Sequence, residues 1–475
     1  MAINKPLHQI KRPLSQVDLK AYRHVLENLQ GNILKGHGRD NTIHVFVEFR
    51  AGKQAAARKW LAAMAGDLTS MTQQLEEAHE YSEYQIPGSL FRGIYLTAAA
   101  YRYLGLDTKR FDSRFQAGMK KSRATLADPD VSAWEKPYQG ALHAMVLLAD
   151  DGETFIGRAA RELVNQIKVR KFARVVTIER GTAQRNVHGK TIEHFGYVDG
   201  RSQPLMLKRD IEKELNSEHL RRFADWDPAA GPKLALVEDP HGAKGACGSY
   251  VVFRKLEQNV RAFKKREKDL AIALGLMAPP ADVAGAMAVG RFVTGNPVVL
   301  DHEAGPPTDP SGTRIVRNDF SYRADPQGAK CPFHSHIRKT NPRGSSGHPL
   351  SEEKLHRVVR RGITYGDRTR ESFEDPDRAP EKGVGLLFMC FQSNIAQQFE
   401  FMQVTWANNV GFPGARTGLD TVIGQGGKGG QLWPRIWGNA DPKLREPFDF
   451  AGFVSMKGGE YFFAPSITFF AGLAK

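Results

Sequence analysis

The chain has 475 residues, of which 67 are Lys or Arg and 52 Asp or Glu, for a formal net charge of +15, and 41% are hydrophobic. Those values exclude a disordered or fibrous chain and supply apolar material for a large core, in one domain or more naturally two. Three cysteines, Cys247, Cys331 and Cys390, offer neither a paired disulfide framework nor a C-x-x-C zinc site. The opening stretch MAINKPLHQIKRPLSQVDLK lacks the continuous apolar run of a secretory signal, and no run of about 18 apolar residues occurs to span a bilayer. A cytoplasmic location without membrane attachment is expected.

In chain order, Ser15 and Asp18 form an S-x-x-D start, and Tyr22, Val25, Leu26 and Leu29 share a face, so a helix is expected up to Gly31. Ile43, Val45, Val47 and Phe49 alternate with His44, Phe46 and Glu48, the pattern of a half-buried strand over 42–50. Helices are expected over 54–65, 70–78 and 153–167, and strands over 89–96, 141–149 and 173–179. This mixture lacks a regular β-α-β alternation, which favours α+β architecture with antiparallel sheet. Pro, Gly and charge dominate residues 208–248, the expected junction between a first unit at 1–207 and a second at 248–475, with 208–247 between them.

The second unit opens with a strand at SYVVFRKL (249–256) and a helix whose apolar face is Val260, Phe263, Leu270 and Leu274. Residues 303–350 read as one long irregular segment, a length associated with function or disorder. A helix over 351–361, a buried strand over 385–392, a helix over 394–406 with Ile395, Phe399, Met402 and Trp406 inward, and a strand over 460–463 complete the chain.

Four segments carry candidate chemistry. In FGYVDGRSQP, glycines flank Asp199 and allow close backbone approach to a ligand, where a carboxylate can act as acid or base; alone, the D-G pair is most simply a turn. CPFHSHIRKTNPR places His334 and His336 beside Arg338, Lys339 and Arg343. No third or fourth ligand lies at zinc-like spacing, so a cofactor needing one protein ligand fits better; neutral imidazole is the usual proximal ligand of haem iron, and arginines suit its propionates. In VVRRGITYG, Arg360 and Arg361 would end a short helix at Gly362. GLLFMCFQ reads as a core strand with Leu386 and Phe388 on one face. A nucleic-acid binder is not expected, because the basic segments 254–268 and 357–370 lack aromatic interleaving and any reading motif.

Taken in order, GYVDG, CPFHSHIRKTNPR, RRGITYG and GLLFMCFQ resemble the dye-decolorizing peroxidase family of haem enzymes. The resemblance extends to GNILKGHGR, GSYVVFRKLEQ and KGGEYFFAPS and so runs from near residue 30 to near residue 466. It implies two ferredoxin-like α+β domains with antiparallel sheets packed around a pocket for haem b. It also implies a peroxidase that uses hydrogen peroxide to oxidise anthraquinone dyes, phenols and other small aromatic one-electron donors through a ferryl haem. Carried over by motif, His336 is the proximal iron ligand, Asp199 the distal acid–base residue and Arg360 the distal arginine, with Arg361 its competitor. Arg343 pairs with a propionate, and Leu386 and Phe388 line the distal side. Glu400 is a candidate acceptor for the second nitrogen of His336, and Trp406, Trp433, Trp437 and Tyr461 are candidates for a surface route of electrons. A haem-binding or haem-delivery protein with little turnover is the rival reading, and homo-oligomerisation stays open.

Overall fold

The computed structural model describes residues 5–276, 280–301 and 315–474, so residues 303–314 of the expected irregular segment lie outside the described residues. Strands β1 (Asn41–Phe49), β2 (Phe91–Leu96), β3 (Ala144–Asp150) and β4 (Ala173–Thr182) arise in the first part of the chain. The second part supplies β5 (Val237–Glu238), β6 (Cys247–Gln258), β7 (Val359–Arg360), β8 (Ile363–Tyr365), β9 (Gly385–Gln392) and β10 (Val454–Ala464). They form one antiparallel sheet in the order β8-β9-β6-β10-β2-β3-β1-β4, with β5 paired to β6 and β7 to β9.

The expected α+β architecture with antiparallel sheet is present, and the two half-sheets join edge to edge where Phe463 pairs with Leu96. The outer edges also meet, because the Thr364 hydroxyl in β8 donates to the Thr182 carbonyl in β4. The sheet therefore curls into a barrel. Gly181 permits the contact, since a Cβ at that position would collide with Ile363.

Alternation along the strands sorts side chains between barrel interior and outer layer. Phe46 of β1 meets Phe253 of β6 edge-on at 4.9 Å and Tyr138 at 5.5 Å, while Phe49 faces outward to Trp60 at 6.4 Å. This is why β1, expected to be half-buried, is buried on both faces: aromatic packing covers one side and helices the other.

The first expected helix is two, α1 (Gln16–Ala21) and α2 (Arg23–Asn28), broken at Tyr22; the Ser15–Asp18 capping box is present. Helices α3 (Gln54–Met64), α4 (Met71–Tyr84) and α5 (Glu153–Arg170) follow expectation, with α3 burying Ala57, Trp60, Leu61 and Met64 at i, i+3, i+4 and i+7 spacing. After α6 (Val260–Ala273) comes α7 (Pro280–Val289), which periodicity did not reveal because AGAMAVG carries no polar face. The short α8 (His336–Thr340) interrupts the segment expected to be irregular, and a helix at Lys208–Ser217 interrupts the expected junction.

Two further elements differ from expectation. The helix over 351–361 ends early: a turn at Leu350–Glu353 passes through Lys354–His356 into β7, so Arg360 lies on a strand and not at a helix C-terminus. The pairing of Val359 with Phe391 and of Arg360 with Cys390 accounts for the change, as the VV pair suits a strand. The helix over 394–406 is wound in wide i→i+5 turns, with Glu400 N donating to Ile395 O at 3.0 Å and Asn408 N to Gln403 O at 2.9 Å.

Truncating the aromatic contact that joins the halves should cost more than a surface change. Phe253→Ala is expected to destabilise the fold by about 3–5 kcal/mol, read as a lower denaturant midpoint; a midpoint equal to wild type would contradict the proposed role of this contact.

Candidate active site

Outside the barrel, against the face of β6, β9 and β10 that does not point into it, lies a cavity of about 230 Å³ that opens to solvent. Arg254, Leu256 and Gln258 of β6 and Leu386 and Phe388 of β9 form one wall, while their neighbours Phe253, Leu387 and Met389 are core. Phe399, Met402 and Gln403 from the wide-turn helix form another.

Asp199 and Arg360 meet on this cavity. Arg360 Nη1 donates to Asp199 Oδ1 at 2.8 Å, Nη2 to the Arg201 carbonyl at 2.8 Å, and the Arg360 backbone N–H to Gln203 Oε1 at 3.1 Å. Their side chains remain 34% and 33% exposed, and both line the cavity wall. Burial pushes the Asp199 pKa up, but the Arg360 charge, the Gly200 N–H and the charge of His336 outweigh it and leave the carboxyl below its ordinary value. Arg361 turns the other way: its guanidinium donates to the carbonyls of Asn32 at 2.9 Å and Ile33 at 3.3 Å and does not line the cavity. Alternation along β7 and the turn after it sends the two neighbours to different sides, so that Arg360 and not Arg361 meets Asp199 on the cavity.

His336 is the first residue of α8, after Ser335, whose hydroxyl donates to the Met287 carbonyl and ties the turn to α7. Its Nδ1 lies 3.1 and 3.0 Å from the two carboxylate oxygens of Asp420, which fixes the proton on Nδ1 and leaves Nε2 unbonded on the cavity side. Burial disfavours the imidazolium, yet the Asp420 carboxylate overrides it and raises the pKa. Asp420 is fully buried and accepts the N–H groups of Val422 and Ile423, both at 2.8 Å. The acceptor expected at Glu400 is therefore wrong. Glu400 accepts from the Tyr461 hydroxyl at 2.8 Å, pairs with Arg114 at 2.9 Å and does not line the cavity.

His334 does not share the cavity. It is buried against Trp433, with ring centroids 4.2 Å apart, and its Nδ1 bonds the Thr417 carbonyl at 3.2 Å.

Arg343 lines the cavity and is buried, donating to the carbonyls of Asn318 and Phe320 at 2.6 and 2.9 Å, to Ser202 Oγ at 2.6 Å and to Asn318 Oδ1 at 2.7 Å. Arg291, which sequence reading passed over, lies beside it and donates to the carbonyls of Gly295 and Arg317 at 2.6 and 2.7 Å. Neither guanidinium meets a carboxylate among the described residues, and burial pulls their pKa values down, to about 10 for Arg343 and about 9 for Arg291. Two like charges buried side by side on the cavity, with only neutral acceptors, leave a place whose electrostatics favour an anion.

Of the four aromatic residues expected on an electron route to the surface, three lie away from it. Trp406, Trp433 and Tyr461 are buried, and Trp437 is half-buried with its indole N–H on the Lys330 carbonyl at 3.0 Å.

Sequence missed Asp420 because it lies 84 residues from His336, beyond any local spacing. Only its setting in the apolar run LDTVI hinted at a buried carboxylate.

Comparison with known proteins finds relatives of the whole chain. Residues 28–184 match a family profile described as the DyP dimeric alpha+beta barrel domain. The multifunctional dye peroxidase DyP2 of an Amycolatopsis species is 44% identical over 461 residues, covering 94% of this chain and 96% of that protein. A dye-decolorizing peroxidase of Auricularia auricula-judae is 28% identical over 94% of this chain and 86% of its own length. Among solved structures, a DyP-type peroxidase from an Anabaena species superposes with a TM-score of 0.89 at 40% identity, covering 100% of both chains.

Proposed function

The chain belongs to the dye-decolorizing peroxidase family, haem-dependent oxidoreductases that act on peroxide and dyes, and from that membership we propose that its cavity holds haem b with His336 as the iron ligand. The single observation that carries this reading is that one cavity is lined both by the Asp199–Arg360 pair and by an imidazole whose Nδ1 is committed to a buried carboxylate.

The residues fit the group. His336 offers Nε2 to iron while Asp420 orients the ring and raises its basicity. Arg343 and Arg291, buried without carboxylate partners, suit two propionates. Leu386, Phe388 and Met402 supply an apolar wall for a macrocycle. Bound haem would supply the iron at which the peroxide O–O bond is cleaved and the store of oxidising equivalents passed on to one-electron donors.

The chain's own contribution is proton movement and charge. Asp199, ionised through its contact with Arg360, takes a proton from hydrogen peroxide and returns it to the oxygen that departs as water. Arg360 holds the carboxylate in place and offsets the negative charge that develops as the bond breaks. A haem-delivery protein needs no such pair, which disfavours the rival reading. The donors are dyes, and the proposal extends them to phenols and other small aromatic molecules. The division at 208–247 is kept as a proposal: it puts Asp199 in the first unit and His336, Arg343 and Arg360 in the second, so that both build the site. Three buried, unpaired cysteines support a cytoplasmic location, and among the described residues no helix is long and apolar enough to cross a membrane.

Three outcomes follow. His336→Ala should lose or greatly weaken the Soret band of haem-loaded protein; unchanged uptake would move the ligand elsewhere. Asp199→Asn and Arg360→Leu should each slow the first reaction with peroxide in stopped flow, by about 10²–10⁴-fold for the acid–base residue; normal rates in both would remove these roles. Asp199 titrates below the ordinary carboxylate value, so wild-type activity should persist into mild acid and fall only as pH drops through that lowered pKa. Removing the Arg360 charge raises that pKa, so the acid limb of Arg360→Leu should move to higher pH, and an unmoved limb would contradict the pairing.

A further inference from the structure

Helix α8 carries two buried cations besides the histidine. Arg338 is matched by Asp325 at 3.1 Å, with further bonds to the carbonyls of Cys331 and Asp325. Lys339 is not matched in this way. It is 0% exposed, forms no salt bridge among the described residues, and its Nζ donates to the backbone carbonyl of Asn409 at 2.9 Å and to that of Gly418.

The second of those carbonyls belongs to the loop that delivers Asp420. Gly418 has φ +87°, and a Cβ there would come within 2.7 Å of the Gly429 carbonyl, so the residue that aims this oxygen at Lys339 has to be glycine. Two residues on, Asp420 receives the His336 Nδ1–H. Lys339 therefore ties the same one-turn helix to the same loop, one turn beyond the histidine, and the two links run in parallel.

Packing alone does not call for an ammonium here. A buried charge satisfied only by neutral carbonyls costs folding free energy that an apolar side chain of similar length would avoid. Burial pulls the Lys339 pKa down to about 8, against an opposing pull from Asp420, so at neutral pH most molecules hold the charged, three-donor form. What this form does that a methyl group cannot is hold Gly418 and Asn409 against α8.

We propose that Lys339 is a positioning residue for the proximal pair: by tethering the 409–418 backbone to α8 it sets the distance and angle at which Asp420 accepts the His336 hydrogen bond. This rests on the reading of His336 as the haem ligand. A carboxylate on Nδ1 makes the imidazole a stronger donor to iron and lowers the Fe(III)/Fe(II) potential, so slackening the tether should raise it. A cation acting only through its own charge would have the opposite signature, since its removal favours Fe(III) and lowers the potential.

The test is a spectroelectrochemical titration of haem-loaded protein at pH 7 for wild type, Lys339→Met, Asp420→Asn and the double variant. Asp420→Asn should raise the potential, Lys339→Met should raise it by a smaller amount, and the double variant should match Asp420→Asn. Lys339→Gln, which keeps two N–H donors on a shorter arm, should fall between wild type and Lys339→Met, and it carries the test if Lys339→Met does not retain haem. A potential that falls or stays fixed in the lysine variants, or a shift that adds in full to that of Asp420→Asn, would overturn the tether. A potential unmoved by Asp420→Asn would instead overturn the site reading on which the tether depends.

Discussion

A protonated guanidinium taken out of water has to recover its lost hydration from acceptors or from an opposing charge, and this requirement governs the cavity. Arg343 and Arg291 are buried side by side against neutral acceptors alone, each at the expense of a lowered pKa. Arg201 next to them is matched by Glu214 and Glu218, and Arg360 by Asp199. The contrast separates a part of the cavity lining where the protein supplies its own anion from the part at Arg291 and Arg343 where it supplies none. Part of the +15 charge is thereby local: Arg201, Arg291, Arg343, Arg357 and Arg360 all line the cavity.

The barrel gives this cavity one of its walls. Its interior takes Phe46, Phe253 and Tyr138, leaving alternate residues of β6 and β9, among them Leu256, Leu386 and Phe388, to form a cavity wall outside. Parts distant in the chain then converge around the cavity. Asp199 and Arg360 are 161 residues apart, and His336 and Asp420 are 84 apart. The carboxylate of each pair works on its own side. Asp199 faces the cavity and is free to exchange a proton, whereas Asp420 is fully enclosed and held by Val422 and Ile423, so it can orient a ring but has no route for exchange with solvent.

Much of this was legible in the sequence wherever the signal was local. The Ser15–Asp18 cap, the alternation in β1 and the apolar spacing of α3 follow directly from residue type and period. Long-range pairing overrode local pattern elsewhere. Val358 to Arg361 read as the end of a helix, but β9 offered Val359 and Arg360 a ladder partner and drew them into a strand. α7 escaped notice because burial on every side removes the polar stripe that betrays a helix. At the site, residues inside contiguous motifs were readable, while Asp420, Arg291 and Lys339 act through tertiary contacts that no spacing encodes.

The most direct test of the central claim compares the affinity of the ligand-free protein for haem with its affinity for haem dimethyl ester, in which both propionate charges are removed and the macrocycle is otherwise the same. Two charge-assisted contacts at about 1.5–3 kcal/mol each predict that esterification weakens binding by about 10²–10⁴-fold. The loss should shrink in Arg291→Leu and in Arg343→Leu. Equal affinity for the two compounds would contradict the account, because Arg291 and Arg343 would then be buried for a reason other than an anion.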